Sequence, residues 1–529
     1  MDFQENRNIK FIHNQYLLEK AEKLKPQLIK HSISPTRLVD IVPDNTNVYN
    51  FSAKESHQSL DSLSNYSFGK GERIVFDFGD HYVGHFKINI SSLGSPMDAP
   101  LFLHLKFAEL PVELAEDSDG YQGMISKSWL QDEYIHLDTL PQTLALPRRY
   151  SCRYVAIDVI DTSPKWKAVF SKPVFTAESS VELNQVTPVN TKNKKLNKID
   201  SIGLKTLQDC MQQVFEDGPK RDRRLWLGDL HLQALANYAT FNNKELVERC
   251  LYLFGALPAE DGRITTNIFT FTKPIPDDTF FFDYGLFFIS TLYDFYKQFQ
   301  DKQVLDDLYL VAKQELDSVL TTLNKDYIIE PDKNWFIFVD WNMNFDRNTC
   351  GQAILIYALR QFIKLVEIEN DQENITKYKA ILTKMIKSSK EKLFDKKIGL
   401  FISGNDREIN LASQVWMVLA HVLTNKENYN LMTKVIKLFF PIHDIATPYM
   451  YHYIVESLFE SNHSNDAIKL IEEYWGKMVD YGADTFWEAF DPNKPDDSPY
   501  GSLAINSFCH AWSCTPVYLI RKYITHTIN

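Results

Sequence analysis

The sequence predicts a multidomain chain: a β-sandwich-like domain over residues 1–185, with a leading helix, followed by an all-α (α/α)6 toroid over 186–529. Three observations carry that expectation. The chain has 529 residues, more than one hydrophobic core usually organises. Its apolar residues alternate with period two before about residue 185 and with helical period after it. The second part divides into a dozen helical segments, the number that six antiparallel hairpins need to close on themselves.

A helix-like stretch from Gln15 to Lys30 comes first. It is followed by RIVFDFG (73–79), HFKINI (85–90), LFLHLKFAEL (101–110), DEYIHL (132–137) and RYVAIDVID (153–161). These segments alternate, are rich in β-branched and aromatic residues, and are separated by turn formers, which predicts antiparallel strands of a sandwich. Helices are expected at about 191–215, 229–241, 243–255, 279–299, 302–323, 347–369, 372–394, 409–423, 426–440, 445–461, 464–478 and 502–525. A solenoid would also be all-helical, but no repeat of fixed period is present. The intervening segments 216–228, 256–278, 324–346, 395–408 and 479–501 are long and rich in Asp, Trp, Phe and Pro. Long loops in a compact domain usually carry function, and in a toroid these would gather at one mouth.

Composition narrows the function. Net charge is −12 and no basic tract exists, which argues against nucleic acid and an anionic membrane surface as partners. The N-terminus has no apolar h-region, and no run of about 18 apolar residues occurs, so a cytoplasmic protein is expected. The six cysteines (152, 210, 250, 350, 509 and 514) are scattered, as reduced, mostly buried thiols would be. No HExxH or clustered His/Cys spacing points to a metal, and no cofactor is expected. The sequence leaves a homo-oligomer open. Aromatic residues reach 13%, enough both to fill cores and to line a sugar cleft.

Two acidic clusters invite chemistry. In E216-D-G-P-K-R-D-R-R-L-W-L-G-D229, four acids and four basic residues are interrupted by Gly218-Pro219, so the run is not a surface helix. Arginines beside Asp222 would hold it ionised, whereas a nearby Asp217 or Asp229 would favour its protonated form. An ion-pair network with Asp229 as helix N-cap is the bland alternative. Far downstream, Y481-G-A-D-T-F-W-E-A-F-D491 places Glu488 after Trp487 in an aromatic loop. S507-F-C-H-A-W-S-C514 sets His510 and Trp512 near the expected last helix. Asp283-Tyr284, Trp335 and Asp340-Trp341 repeat the pairing of acid and aromatic ring.

These motifs resemble a known family. D217-G-P-K-R-D222 with W226-L-G-D229 resembles the active-site signature of the bacterial α-L-rhamnosidases, G482-A-D-T-F-W-E488 their Gly-Ala-Thr-Thr-x-Trp-Glu segment, and C509-H-A-W-S their His-containing segment. The resemblance covers roughly residues 190–529 and implies an inverting glycoside hydrolase acting on small glycosides, with a carbohydrate as its partner molecule. It makes Asp222 the general acid and Glu488 the general base. It makes Asp217, Arg221, Trp226, Asp229 and His510 substrate-positioning or pKa-setting residues. The further acid and aromatic residues Asp283, Asp340, Trp341 and Trp487 are expected to line the same pocket. An alignment that keeps the extra residue of many members would put Arg223 on the acid instead. Asp484 stands where the family often has Thr, which implies altered substrate choice. A six-hairpin glycosidase with another glycone, a lyase, and a non-catalytic carbohydrate-binding protein are the alternatives; the lyase would not need Glu488, and the binding protein could lose either carboxylate.

Overall fold

The computed structural model describes residues 9–116, 118–331 and 335–525. A sheet-rich N-terminal part precedes a helical part. The first helix, α1 (Gln15–Lys23), starts where the Asn14 side chain accepts the Leu17 N–H at 3.3 Å. It buries Leu17 and Ala21 against the helical part. It ends well before the expected Lys30, because Pro26 lacks the N–H a helix needs and restricts Lys25. The next residues form β1 (Ile29–Ile33).

The strands that follow are β2 (Arg37–Pro43), β3 (Phe51–Glu55), β4 (Arg73–Gly94) and β5 (Leu101–Ala108). A short α2 (Pro111–Ala115) precedes β6 (Asp132–Leu137), β7 (Gln142–Ala145), β8 (Tyr150–Asp161) and β9 (Trp166–Ser179). All pairings are antiparallel, in the order β1-β9-β4-β8-β5-β6, with β2 and β7 also on β4 and β3 on β2. The expected strands 73–79 and 85–90 are one strand. It is interrupted by an irregularity between Asp77 and Tyr82, where Gly79 takes a φ of +83° and donates to Asp77 Oδ1. The larger core, including Phe76, Phe86, Leu103, Val155 and Phe170, lies among these strands, and a smaller one joins Val39, Val75, Ala108, Leu114, Tyr154 and Ala156.

The helical part comprises α3 (Lys194–Cys210), α4 (Leu227–Tyr238), α5 (Lys244–Ala256), α6 (Phe282–Phe299), α7 (Lys302–Leu320) and α8 (Asn348–Ile368). It continues with α9 (Gln372–Ser388), α10 (Leu411–Leu419), α11 (Asn425–Phe439), α12 (Pro448–Glu460), α13 (Ser464–Asp480) and α14 (Pro516–Leu519). Burial alternates along the chain. Every residue of α10 is buried, whereas α9 buries only Tyr378 and Met385. Helices apolar all round belong inside, and amphipathic ones outside. The buried helices α4, α6, α8, α10 and α12 touch in succession, and α14 meets α12, α4 and α3. The expected last helix, 502–525, is broken into short turns. Two 3₁₀ turns precede α14, which Pro516 starts and a π turn (Ile520–Ile524) extends.

Candidate active site

The helix order explains where the loops go. Each link from a buried helix to the next amphipathic one is short, for example 300–301 or 461–463. The long loops 211–226, 257–281, 321–347, 389–410 and 481–515 all lead from the C-terminus of an amphipathic helix to the N-terminus of a buried one. A band of touching aromatic rings joins four of them. Trp226 lies 6.4 Å from Phe281, and Phe281 stacks on Phe338 at 5.8 Å. Phe338 meets Trp341 at 5.3 Å and Trp512 at 6.1 Å, and Trp512 meets His510 at 4.5 Å.

The first and last of these loops are tied to each other. Asp217 C=O accepts the Ala511 N–H at 2.7 Å, Arg221 Nε donates to Ile505 C=O at 2.7 Å, and Lys220 Nζ reaches the Ala504 and Asn506 carbonyls at 2.9 and 2.8 Å. Gly218 is required here. A Cβ would lie 2.6 Å from the Arg221 carbonyl oxygen and 3.1 Å from His510 Nδ1. Within this frame Glu488 is buried, with Arg221 on Oε2 and the Tyr500 hydroxyl on Oε1. Asp222 stays partly exposed and has no hydrogen bond or ion pair among the described residues. Asp229, in the first turn of α4, places Oδ1 3.2 Å from His510 Nε2; Trp226, not Asp229, is the N-cap.

The environments of the carboxyls differ in sign. Burial pushes Asp217 well above the usual carboxylate range, and the Asp222 and Asp229 charges push it further. Burial also raises Asp229, against the opposing His510. Burial alone would raise Glu488, but Arg221, His510 and Tyr500 outweigh it and hold the carboxyl below its ordinary value. One end of the cluster therefore favours a proton and the other an anion.

Not every expected residue faces this space. Asp283 accepts the Phe338 and Val339 N–H groups, both at 3.0 Å, and so orients the loop bearing Trp341. Asp340 accepts from Thr447 N and Ala446 N at 3.0 Å, Asn342 N at 2.8 Å and the Thr447 hydroxyl. Four bonds use all its acceptor sites. Trp487 packs among Tyr49, Phe490 and Phe508. Arg223 turns towards the sheet-rich part, donating to Pro219 and Arg149 carbonyls at 2.9 and 2.7 Å. Asp484 is taken up by Arg153 at 3.0 and 2.9 Å, which also holds Asp77, so the departure at this position serves domain contact. Tyr500 escaped the sequence reading; its signal was an aromatic residue between Pro499 and Gly501 in a long loop. Among the described residues His81, Asp209 and Cys509 lie close enough to hold a metal, but Lys205 Nζ already binds Asp209 at 2.6 and 2.7 Å and supplies the positive charge there.

Residues 35–177 match the glycosyl hydrolase family 78 α-rhamnosidase N-terminal domain, and residues 184–524 match the bacterial α-L-rhamnosidase six-hairpin glycosidase domain. A rhamnosidase from Klebsiella oxytoca with rhamnose bound is 39% identical, with a TM-score of 0.94 over 97% of this chain and 99% of that one. Two further structures share the fold. The family 78 rhamnosidase of Bacillus sp. GL1 is 18% identical, with a TM-score of 0.73 over 90% of this chain and 50% of that one. The Streptomyces avermitilis α-L-rhamnosidase complexed with L-rhamnose is 16% identical, with a TM-score of 0.65 over 94% and 44%. No curated protein sequence matches the chain.

Proposed function

The chain belongs to the bacterial α-L-rhamnosidases of glycosyl hydrolase family 78 and is a glycoside hydrolase, and on that premise we propose that it removes terminal α-L-rhamnosyl residues from small glycosides with inversion at the anomeric carbon. Asp222 protonates the leaving oxygen, and Glu488 takes a proton from the attacking water. The observation that carries this reading is the opposite tuning of the carboxyls. Arg221, His510 and Tyr500 hold Glu488 below its ordinary value, which favours the base's ionised form, while burial and neighbouring carboxylates push Asp217, in the loop that carries Asp222, well above its own. Arg221, which adjoins Asp222 in the chain and pairs with Glu488, supports placing both proposed catalytic groups at one site. Trp226 and Trp341 offer faces to the sugar ring, and His510 with Asp229 offers polar contacts.

The succession of buried helices, with α14 returning to α3 and α4, supports a closed (α/α)6 toroid, and the large core among the N-terminal strands supports a sandwich. All six cysteines are free and buried, which supports a reducing, cytoplasmic setting. No described helix is long and apolar enough to cross a membrane.

The test is a pair of variants on two leaving groups. Loss of a general acid or base costs about 10²–10⁴-fold. Asp222→Asn should suffer most on glycosides with poor leaving groups and least on nitrophenyl glycosides. Glu488→Gln should fall equally on both, because water needs activation whatever departs. Arg223→Ala should show no leaving-group dependence. Near wild-type rates in both carboxyl variants would refute the assignment.

A further inference from the structure

Among the described residues Glu488 has two side-chain donors, one on each oxygen, and they come from different directions. Arg221 belongs to the loop that also carries Asp222. Tyr500 leads elsewhere: its buried ring clusters with Leu130 and Ile505, beside Tyr121, Ile125 and Trp129. Its carbonyl accepts the Met124 N–H at 2.9 Å. The segment bearing these sheet-domain residues is anchored nearby, where Glu116 Oε2 accepts from Ser502 Oγ and Ala504 N, both at 3.0 Å. The Arg221 guanidinium lies 4.3 Å above the Tyr500 ring, and Trp341 meets the ring at 6.2 Å.

We infer that Tyr500 is a positioning residue for the Glu488 base, and that residues 121–130 of the sheet-rich domain help set the base by clamping Tyr500. The inference rests on Glu488 being the base. A carboxylate turns about its terminal torsion, and one donor leaves that torsion soft. Donors on both oxygens fix the carboxylate plane and leave the remaining lone pairs aimed in a defined direction at water. The charged and titratable groups around Glu488 are Arg221, Tyr500, His510 and Asp229, with Asp222 acting on Arg221 and Tyr500. The Tyr500 hydroxyl stabilises the ionised form, so its loss raises the carboxyl's pKa. The ionised base is the competent form, so the acidic limb of kcat/KM then moves to higher pH.

Tyr500→Phe keeps the ring and removes only the donor. On nitrophenyl α-L-rhamnoside, kcat should fall about 10–100-fold, the range for one hydrogen bond to a charged group. KM should change little, Tm should hold, and the acidic limb should move up in pH. Leu130→Ala, which loosens the clamp from the sheet domain, should move the limb the same way with a smaller fall in kcat. An unmoved limb in a folded Tyr500→Phe enzyme overturns the inference, whether or not Tm drops. If Tyr500→Phe does not fold, the limb in Leu130→Ala decides, and an unmoved limb there overturns the role of the sheet domain. Glu488→Gln keeps the two failures apart: wild-type activity in that variant removes the base assignment itself, whereas an inactive Glu488→Gln beside an unaffected Tyr500→Phe removes only the present inference.

Discussion

Replacing Asp340 by Asn separates a loop tie from a substrate contact. The buried carboxylate accepts four hydrogen bonds, three from backbone N–H groups of residues 342, 446 and 447 and one from the Thr447 hydroxyl. An amide of the same shape keeps one acceptor oxygen and turns its NH2 towards two donors. Each buried donor left unsatisfied costs about 1–3 kcal/mol. Part of that is offset, because burial already disfavours the charge on Asp340. A net loss of about 2–4 kcal/mol is expected, or roughly 3–6 °C in Tm for a helical region of this size. Calorimetry reads the stability, and initial rates read KM and kcat. The tie predicts a lowered Tm and a kcat reduced through the Trp341 loop. An unchanged Tm with a raised KM would refute this reasoning and make Asp340 a sugar ligand.

Asp484→Ala should cost about 1–3 kcal/mol, by leaving Arg153 with Asp77 as its remaining partner, and leave the preference among glycones unchanged; a switched glycone preference would return Asp484 to the substrate site. Glu315, buried in α7 with the Ile264 N–H donating to it at 2.6 Å, is pushed up to about 8 by burial. Its folded pKa exceeds its ordinary value of 4.5, so the stability from its protonation is complete below pH 4.5 and is lost as pH rises through 8. Glu315→Gln should flatten that decline in Tm-versus-pH curves, and parallel curves would contradict it. Gly218→Ala should lower kcat/KM about 100-fold by moving Arg221 and His510, and near wild-type kinetics would show that the turn tolerates a side chain.

What the sequence made legible follows from how local each signal is. The change of period near residue 185 marks the passage from sheet to helices because periodicity is local. Strands β1, β2, β3, β7 and β9 gave weaker signals; β9 carries Lys172 and Pro173 in its middle, at positions the alternation rule reads as a break. The last helix failed for the opposite reason: SFCHAWSC is apolar at helical spacing, yet the His510 N–H is taken by the Phe486 carbonyl and only a 3₁₀ turn forms at Ala511–Ser513. At the site, Asp222 and Glu488 lie in conspicuous acidic loops, and the resemblance of those loops to the family's motifs singled them out. The partners of Asp283, Asp340 and Asp484 could not be read this way. Backbone N–H groups have no sequence identity, and Arg153 lies 331 positions from Asp484. Tyr500 was hidden likewise, because its role depends on a domain contact.

The most direct test of the central claim is the configuration of the first product. Wild-type enzyme is mixed with a nitrophenyl α-L-rhamnoside, and the anomeric proton is followed by NMR before mutarotation intervenes. A water activated by Glu488 on the face opposite the leaving group gives β-L-rhamnose first, with the α anomer growing in later. Appearance of α-L-rhamnose first would mean a covalent intermediate and two displacements, and would contradict the roles given to Asp222 and Glu488.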